Sequence, residues 1–224
     1  MKDTDGNIIS PNQFLPSAER YNLITNIDQW VIKQAFALLE EHPDFLDKIN
    51  FISINISGQS LANNELIEFI DKEFKQTGIS GNKICFEITE TSAIKNLKVA
   101  KALINNFKSY GCLFAIDDFG SGLSSYAYLK NLPVDYLKID GMFVKDIVND
   151  QIDHALVKSM NEVGQILNIK TIAEFVENDE IKGMLKAIGV DYAQGYGISK
   201  PCNFESILKQ YDNVYDIKSG SQIG

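Results

Sequence analysis

Residues 113–117 read LFAID, and the chain runs straight on into Asp118-Phe119-Gly120-Ser121-Gly122. An apolar, β-forming run ends on two adjacent acids and a turn whose two glycines permit positive φ and close backbone approach. Outward from this stretch the same pattern repeats. Upstream, residues 51–56 (FISINI) and 83–89 (KICFEIT) read as strands. Between them lies an amphipathic helix over 61–74, with Leu66, Phe69, Ile70 and Phe74 at helical spacing. A helix over 97–109, ended by Gly111, leads into LFAID. Downstream come a short helix over 125–130, strand Tyr136–Ile139 (YLKI), a helix over 152–167, strand Lys170–Ala173 (KTIA), helix Asp179–Ile188 and a short strand over 191–193 before Gly195. The first fifty residues read mostly as helix, with 24–40 the strongest stretch.

Alternating strands and helices predict a parallel sheet flanked by helices. Six strands are legible. Doubly wound sheets and eight-stranded barrels share this pattern, and periodicity does not separate them. Polar residues stand at the C-terminal end of almost every strand: Asn55, Glu87, Asp117 with Asp118, Lys138 with Asp140, Glu174 with Glu177, and Gln194. Parallel strands carry their sites at that end in both architectures. Each residue alone has a plainer reading. An acid after a strand often caps the next helix, Asn55 before Ser57 included. Lys138 could lay its stem on apolar surface with its amine in water. Six consecutive strands delivering an acid, amide or amine to one edge are poorly explained by capping alone.

Composition narrows the chemistry. The 224 residues are 45% apolar and 23% charged, enough for one globular core, and the net charge is −9. So acidic a body disfavours non-specific nucleic-acid binding. Arg20 is the only arginine, so forked phosphate clamps are scarce. No apolar run approaches the roughly 20 residues of a membrane span and no signal peptide is visible, so a cytoplasmic location is expected. Cys85, Cys112 and Cys202 lack metal-type spacing, and the first two read as buried thiols.

Asn55, Glu87, Asp117, Asp118 and Glu174 offer only oxygen donors, while His42 and His154 lie away from strand ends. Such a set favours Mg²⁺ or Mn²⁺ over Zn²⁺. Adjacent acids such as Asp117–Asp118 suit two ions about 3.5–4 Å apart, an arrangement that activates water for phosphoryl displacement. Lys138 would orient or deprotonate that water, or neutralise phosphate charge.

Asn55-Ile56-Ser57, Glu87-Ile88-Thr89-Glu90, Asp117 to Gly122, Leu137-Lys138-Ile139-Asp140, Ala173-Glu174-Phe175-Val176-Glu177 and Gln194-Gly195-Tyr196 together closely resemble the signature of the Glu-Ala-Leu (EAL) phosphodiesterases. The opening Ser10-Pro11-Asn12-Gln13-Phe14-Leu15-Pro16-Ser17-Ala18-Glu19 is similar to the stretch that follows that family's name motif. The resemblance spans residues 3–210, leaving 211–224 as a tail expected to be disordered. It implies a (β/α)8 TIM-like barrel that cuts cyclic di-GMP to linear pGpG with two Mg²⁺ or Mn²⁺ ions. By the same resemblance Asn55, Glu87, Asp117, Asp118 and Glu174 are metal ligands, and Lys138 acts on the attacking water. Glu90 anchors the 118–122 loop, and Asp140, Glu177, Gln194 and Pro201 line or support the pocket. A homodimer through that loop and the following helix, and an upstream sensor or GGDEF-type domain, are implied too.

Three departures accompany the resemblance. The chain is expected to lack the two N-terminal strands, one bearing Glu-Ala-Leu, and so to show about six of eight. Phe175 stands where the family usually has glycine, and Lys200 where it usually has arginine. Two other readings remain: a catalytically silent EAL domain that binds cyclic di-GMP or serves as an interaction module, and an unrelated metal barrel in which Lys138 is a base on a carbon acid.

Overall fold

The computed structural model describes residues 6–7, 9–122, 126–212, 215–216 and 221–222. Three helices come first, α1 (Pro11–Arg20), α2 (Ile24–Glu41) and α3 (Pro43–Lys48). Strand–helix units follow: β1 (Ile52–Asn55) and α4 (Asn64–Thr77); β2 (Ile84–Thr89) with α5 (Glu90–Lys95) and α6 (Leu97–Lys108); β3 (Leu113–Phe119) and a 3₁₀ helix, Tyr126–Asn131. Then come β4 (Tyr136–Ile139) with α7 (Gly141–Val144) and α8 (Gln151–Leu167); β5 (Lys170–Ala173) and α9 (Asp179–Ile188); β6 (Tyr192–Ala193) and α10 (Phe204–Asp212). Ser125, where the short helix is expected to start, lies outside the described residues. Of the expected tail, the described residues are the end of α10 and an antiparallel pair, β7 (Tyr215–Asp216) and β8 (Ser221–Gln222).

Strands β1 to β6 pair in sequence order and all in parallel, as strand–helix–strand crossovers require. The sheet is curled. Neighbouring strands lie about 4.8 Å apart, so Phe51 at the foot of β1 and Tyr136 on β4 would be far separated on a flat sheet. Their rings instead lie 5.1 Å apart, and Tyr192 at β6 lies 6.0 Å from Tyr136 on the other side. The aromatic side chains meet inside the curl, which fits the barrel expectation rather than an open sheet.

Helix ends follow local rules. Asn63, Asp150 and Asn178 accept backbone N–H bonds as N-caps of α4, α8 and α9. At the feet of β4 and β6, Asp135 accepts from Phe114 N–H at 2.8 Å and Asp191 from Thr171 N–H at 2.9 Å, tying each strand to its neighbour. Phe36, Phe86, Phe107 and Phe114 are fully buried between sheet and helices. Each contributes about 1.5–3 kcal/mol, and this core fixes the strand ends in space.

Candidate functional site

The C-terminal strand ends converge on Lys138. Its side chain is only 5% exposed, and its Nζ lies 2.7 Å from Glu87 Oε2 on β2, 2.8 Å from Asp117 Oδ1 on β3 and 2.8 Å from Glu174 Oε1 after β5. Burial works against the ammonium, yet Glu87, Asp117 and Glu174 outweigh it and raise its pKa above the ordinary lysine value.

A backbone irregularity explains how two adjacent acids serve one site. Side chains alternate faces along a regular strand, so Asp117 and Asp118 would point apart. In the β3–β4 ladder Ile116 pairs with Leu137 but Phe119 with Ile139, so β3 holds one more residue than β4 at the level of Lys138. The extra residue is a β-bulge, and Asp118 within it takes a left-handed φ of 54°. The bulge turns both acids inward: one carboxylate oxygen each from Asp117, Asp118 and Glu174 lie within 4.8 Å of one another.

Glu174 sits at a second bulge. Ala173 C=O accepts from Gln194 N–H at 2.8 Å, and Val176 N–H donates to Gln194 C=O at 3.0 Å, so one residue too many lies between them. Phe175 absorbs it with a φ of 54°, the conformation that glycine takes without cost. Its ring covers Gly141, where an added Cβ would stand 2.1 Å from Phe175 Cδ2, and it is 60% exposed.

Four carboxylates against one ammonium leave a formal charge of −3 in this pocket. The strain shows in the acids. Asp118 is raised above the ordinary aspartate value first by burial, then by Asp117 and Asp140. Glu174 is raised by burial, with Asp117 and Asp118 adding to it and Lys138 opposing. Asp117 Oδ1 is buried, and among the described residues its one partner is the Lys138 ammonium at 2.8 Å. An excess of negative charge and oxygen-only donors gathered within 4.8 Å fit a hard divalent cation.

The other sequence-derived residues fall around this centre. Asn55 pairs in register with Glu87 at the end of β1. Glu90 is buried beneath the 118–122 loop, its Oε2 accepting from Gly120 N–H at 2.9 Å and Gly122 N–H at 3.4 Å. Gly120 takes a φ of 98°, which side-chain-bearing residues rarely adopt, and a Cβ there would also displace the Met160 side chain, 2.3 Å away at Cε. Asp140 accepts from Met142 N–H at 2.9 Å and caps α7, so its plainer reading also holds. Glu177 and Gln194 line a cleft of about 280 Å³ together with Glu174, Phe175, Gly195 and Tyr196. Pro201 is exposed and does not line that cleft. His42 packs against Phe204 instead, with ring centroids 5.3 Å apart.

Two contributors escaped the sequence reading. Tyr128 donates its hydroxyl to Glu90 Oε1 at 3.1 Å. Asp28 on α2, buried, accepts from Ser57 N–H at 3.0 Å and steadies the turn after Asn55. Neither stands at a strand end, so the signal that found the others could not reach them.

The chain is similar to known proteins. The chain is 44% identical over 207 residues to the cyclic di-GMP phosphodiesterase PdeB of Shewanella oneidensis, covering 92% of this chain and 24% of that protein. It is 36% identical over 214 residues to the cyclic di-GMP phosphodiesterase PdeF of Escherichia coli K12, covering 96% and 28%. The chain thus spans about a quarter of the length of these curated relatives. Among solved structures, the PaMucR phosphodiesterase in its c-di-GMP complex superposes with a TM-score of 0.86 at 30% identity, covering 92% of this chain and 83% of that one. The family model of the EAL domain matches residues 1–201, and with the bulged acids gathered around Lys138 the chain belongs to the EAL domain family.

Proposed function

We propose that this chain hydrolyses cyclic di-GMP to linear pGpG with two Mg²⁺ or Mn²⁺ ions. The observation that carries the reading is the excess of carboxylates gathered at the two bulges, with oxygens of Asp117, Asp118 and Glu174 within 4.8 Å of one another and one ammonium, Lys138, against them. Asn55, Glu87, Asp117, Asp118 and Glu174 would hold the ions. When bound, such ions supply Lewis-acid chemistry, lowering the pKa of water and steadying phosphoryl oxygens. Lys138 is kept protonated by its acids, and in that form it donates to the attacking water or to a phosphate oxygen rather than taking a proton. The water gives up a proton as its oxygen forms a bond to phosphorus, one phosphodiester P–O bond breaks, and the leaving ribose oxygen takes up a proton, so that one water is consumed across the broken bond. The cleft bounded by Glu177, Gln194 and Tyr196 would seat a nucleotide, its exposed Phe175 and Tyr196 rings offering flat apolar faces.

Named relatives act on the same molecule, which supports the substrate assignment. An upstream sensor or GGDEF-type domain belongs to the same proposal, as does a homodimer through the 118–122 loop and the helix that follows it. No described helix is long and apolar enough to cross a membrane.

The test is chromatography of cyclic di-GMP incubated with the chain and Mn²⁺ or Mg²⁺. Appearance of pGpG, abolished by a chelator, is expected. Binding without any cleavage would replace the enzyme with a cyclic di-GMP receptor.

A further inference from the structure

Glu90 is 1% exposed, and no ion pair is formed by its carboxylate among the described residues. Its charge is met by hydrogen bonds alone. Oε2 accepts from the Gly120 and Gly122 amides, and Oε1 accepts from the Tyr128 hydroxyl. Tyr128 itself is 8% exposed and belongs to the 3₁₀ helix Tyr126–Asn131, from which the chain continues into β4 and Lys138. One phenol therefore joins the carboxylate under the loop to the segment that leads to the buried lysine.

We propose that Tyr128 is a positioning residue for the metal site: by fixing the Glu90 carboxylate it holds the 118–122 loop and thereby the left-handed Asp118. The inference rests on the metal reading given above. Two amides on one oxygen leave a carboxylate free to turn about its last torsion, which is broad and soft. A donor on the second oxygen removes that freedom. Asp118 needs such support, because a non-glycine residue in the left-handed region persists only where its surroundings over-determine it. Phe119 C=O accepts from Asp140 N–H at 3.2 Å and ties the strand side of the loop to β4, whereas the bonds of Ser121 N–H at 3.2 Å and Ser121 Oγ at 2.8 Å to Asp118 C=O close a turn but do not fasten residues 120–122 to the barrel. Glu90 does. Burial, and then the nearby Glu90 charge, raise the phenol above its ordinary value, so it remains a donor across the neutral range.

The experiment compares Tyr128→Phe with Leu129→Ala in the whole chain. Leu129 is the buried neighbour, 2% exposed, and its truncation costs core packing without touching Glu90. Three readouts are taken: amide hydrogen exchange at Gly120 and Gly122 without metal, Mn²⁺ binding by calorimetry, and the KM and kcat for cyclic di-GMP. Tyr128→Phe is expected to speed exchange at both glycines about tenfold or more and to weaken Mn²⁺ about 10–100-fold, lowering kcat with little change in KM. Leu129→Ala is expected to lower the melting temperature while leaving Mn²⁺ affinity unchanged. Unaltered exchange at Gly120 and Gly122, or a loss of Mn²⁺ affinity no greater than that of Leu129→Ala, overturns the role of Tyr128. A wild-type chain that takes up no Mn²⁺ overturns the metal reading instead, and exchange at the two glycines then still decides whether Tyr128 clamps the loop.

Discussion

Asp117 and Lys138 face each other across a bulge in the β3–β4 ladder, with Asp117 Oδ1 2.8 Å from the lysine Nζ. The acid that the bulge sets against this lysine ties the fold to its chemistry. Asn in place of this acid keeps the shape and removes the charge. Asp117→Asn is expected to lower turnover of cyclic di-GMP at least about a hundredfold at fixed Mn²⁺. Initial rates over a Mn²⁺ titration check this. Retention of near wild-type rates would remove Asp117 from the site.

Lys138 has a different role without a metal, where among the described residues it is the one cation paired with Glu87, Asp117 and Glu174. Lys138→Met leaves Glu87, Asp117 and Glu174 uncompensated, and breaking a buried pair this way costs about 3–5 kcal/mol. A divalent ion replaces the missing charge, so Mn²⁺ should raise the melting temperature of the variant more than that of the wild type. Melting curves with and without Mn²⁺ decide it. Equal shifts in both proteins would place the metal elsewhere.

Phe175 pays for its position in backbone conformation. Its φ of 54° costs a non-glycine residue about 1–2 kcal/mol, and the ring, 60% exposed, recovers little by burial. Glycine relieves the conformation but raises unfolded-chain entropy. The expected net effect of Phe175→Gly is a gain of about 0.5–1 kcal/mol in stability, read by urea unfolding, together with a higher KM for cyclic di-GMP. A clear loss of stability would mean that the ring's contact with Gly141 outweighs the strain.

Asp191 couples stability to pH. Burial pushes its carboxyl up, but bonds from Lys170 and from the Thr171 backbone and hydroxyl outweigh this and hold it below the ordinary value of 3.8. A depressed folded-state pKa contributes stability that is present above 3.8 and is lost as pH falls through the lower folded value. Asp191→Asn is therefore expected to cost about 1 kcal/mol near neutrality, with the gap to wild type closing below that value. Unfolding free energies across an acid series test the sign, and a gap that widens on acidification would contradict it.

How far the sequence could be read follows from its periodicities. Strands β4 and β5 and helix α9 match their expected bounds, because Tyr136–Ile139, Lys170–Ala173 and Asp179–Ile188 have sharp polar or glycine boundaries. The expected helix from residue 61 begins only at Asn64, because residues 60–62 form a 3₁₀ turn and Asn63 caps the helix through its side chain. Strand β3 runs two residues further than LFAID, since Phe119 rejoins the ladder beyond the bulge at Asp118. Helices α3, α5 and α7, of four to six residues, are too short to show a helical period. The acids and Lys138 were legible because strand ends gather them. Tyr128 and Asp28 were not, because each acts by one hydrogen bond from an element that carries no polar pattern of its own.

If the acids turned inward by the two bulges form a divalent-metal centre, anomalous scattering from Mn²⁺-soaked crystals will locate it. Strong peaks are expected within coordination distance of Asp117, Asp118 and Glu174. Absence of any peak there, with Lys138 still paired to all three of its acids, would contradict the metal centre.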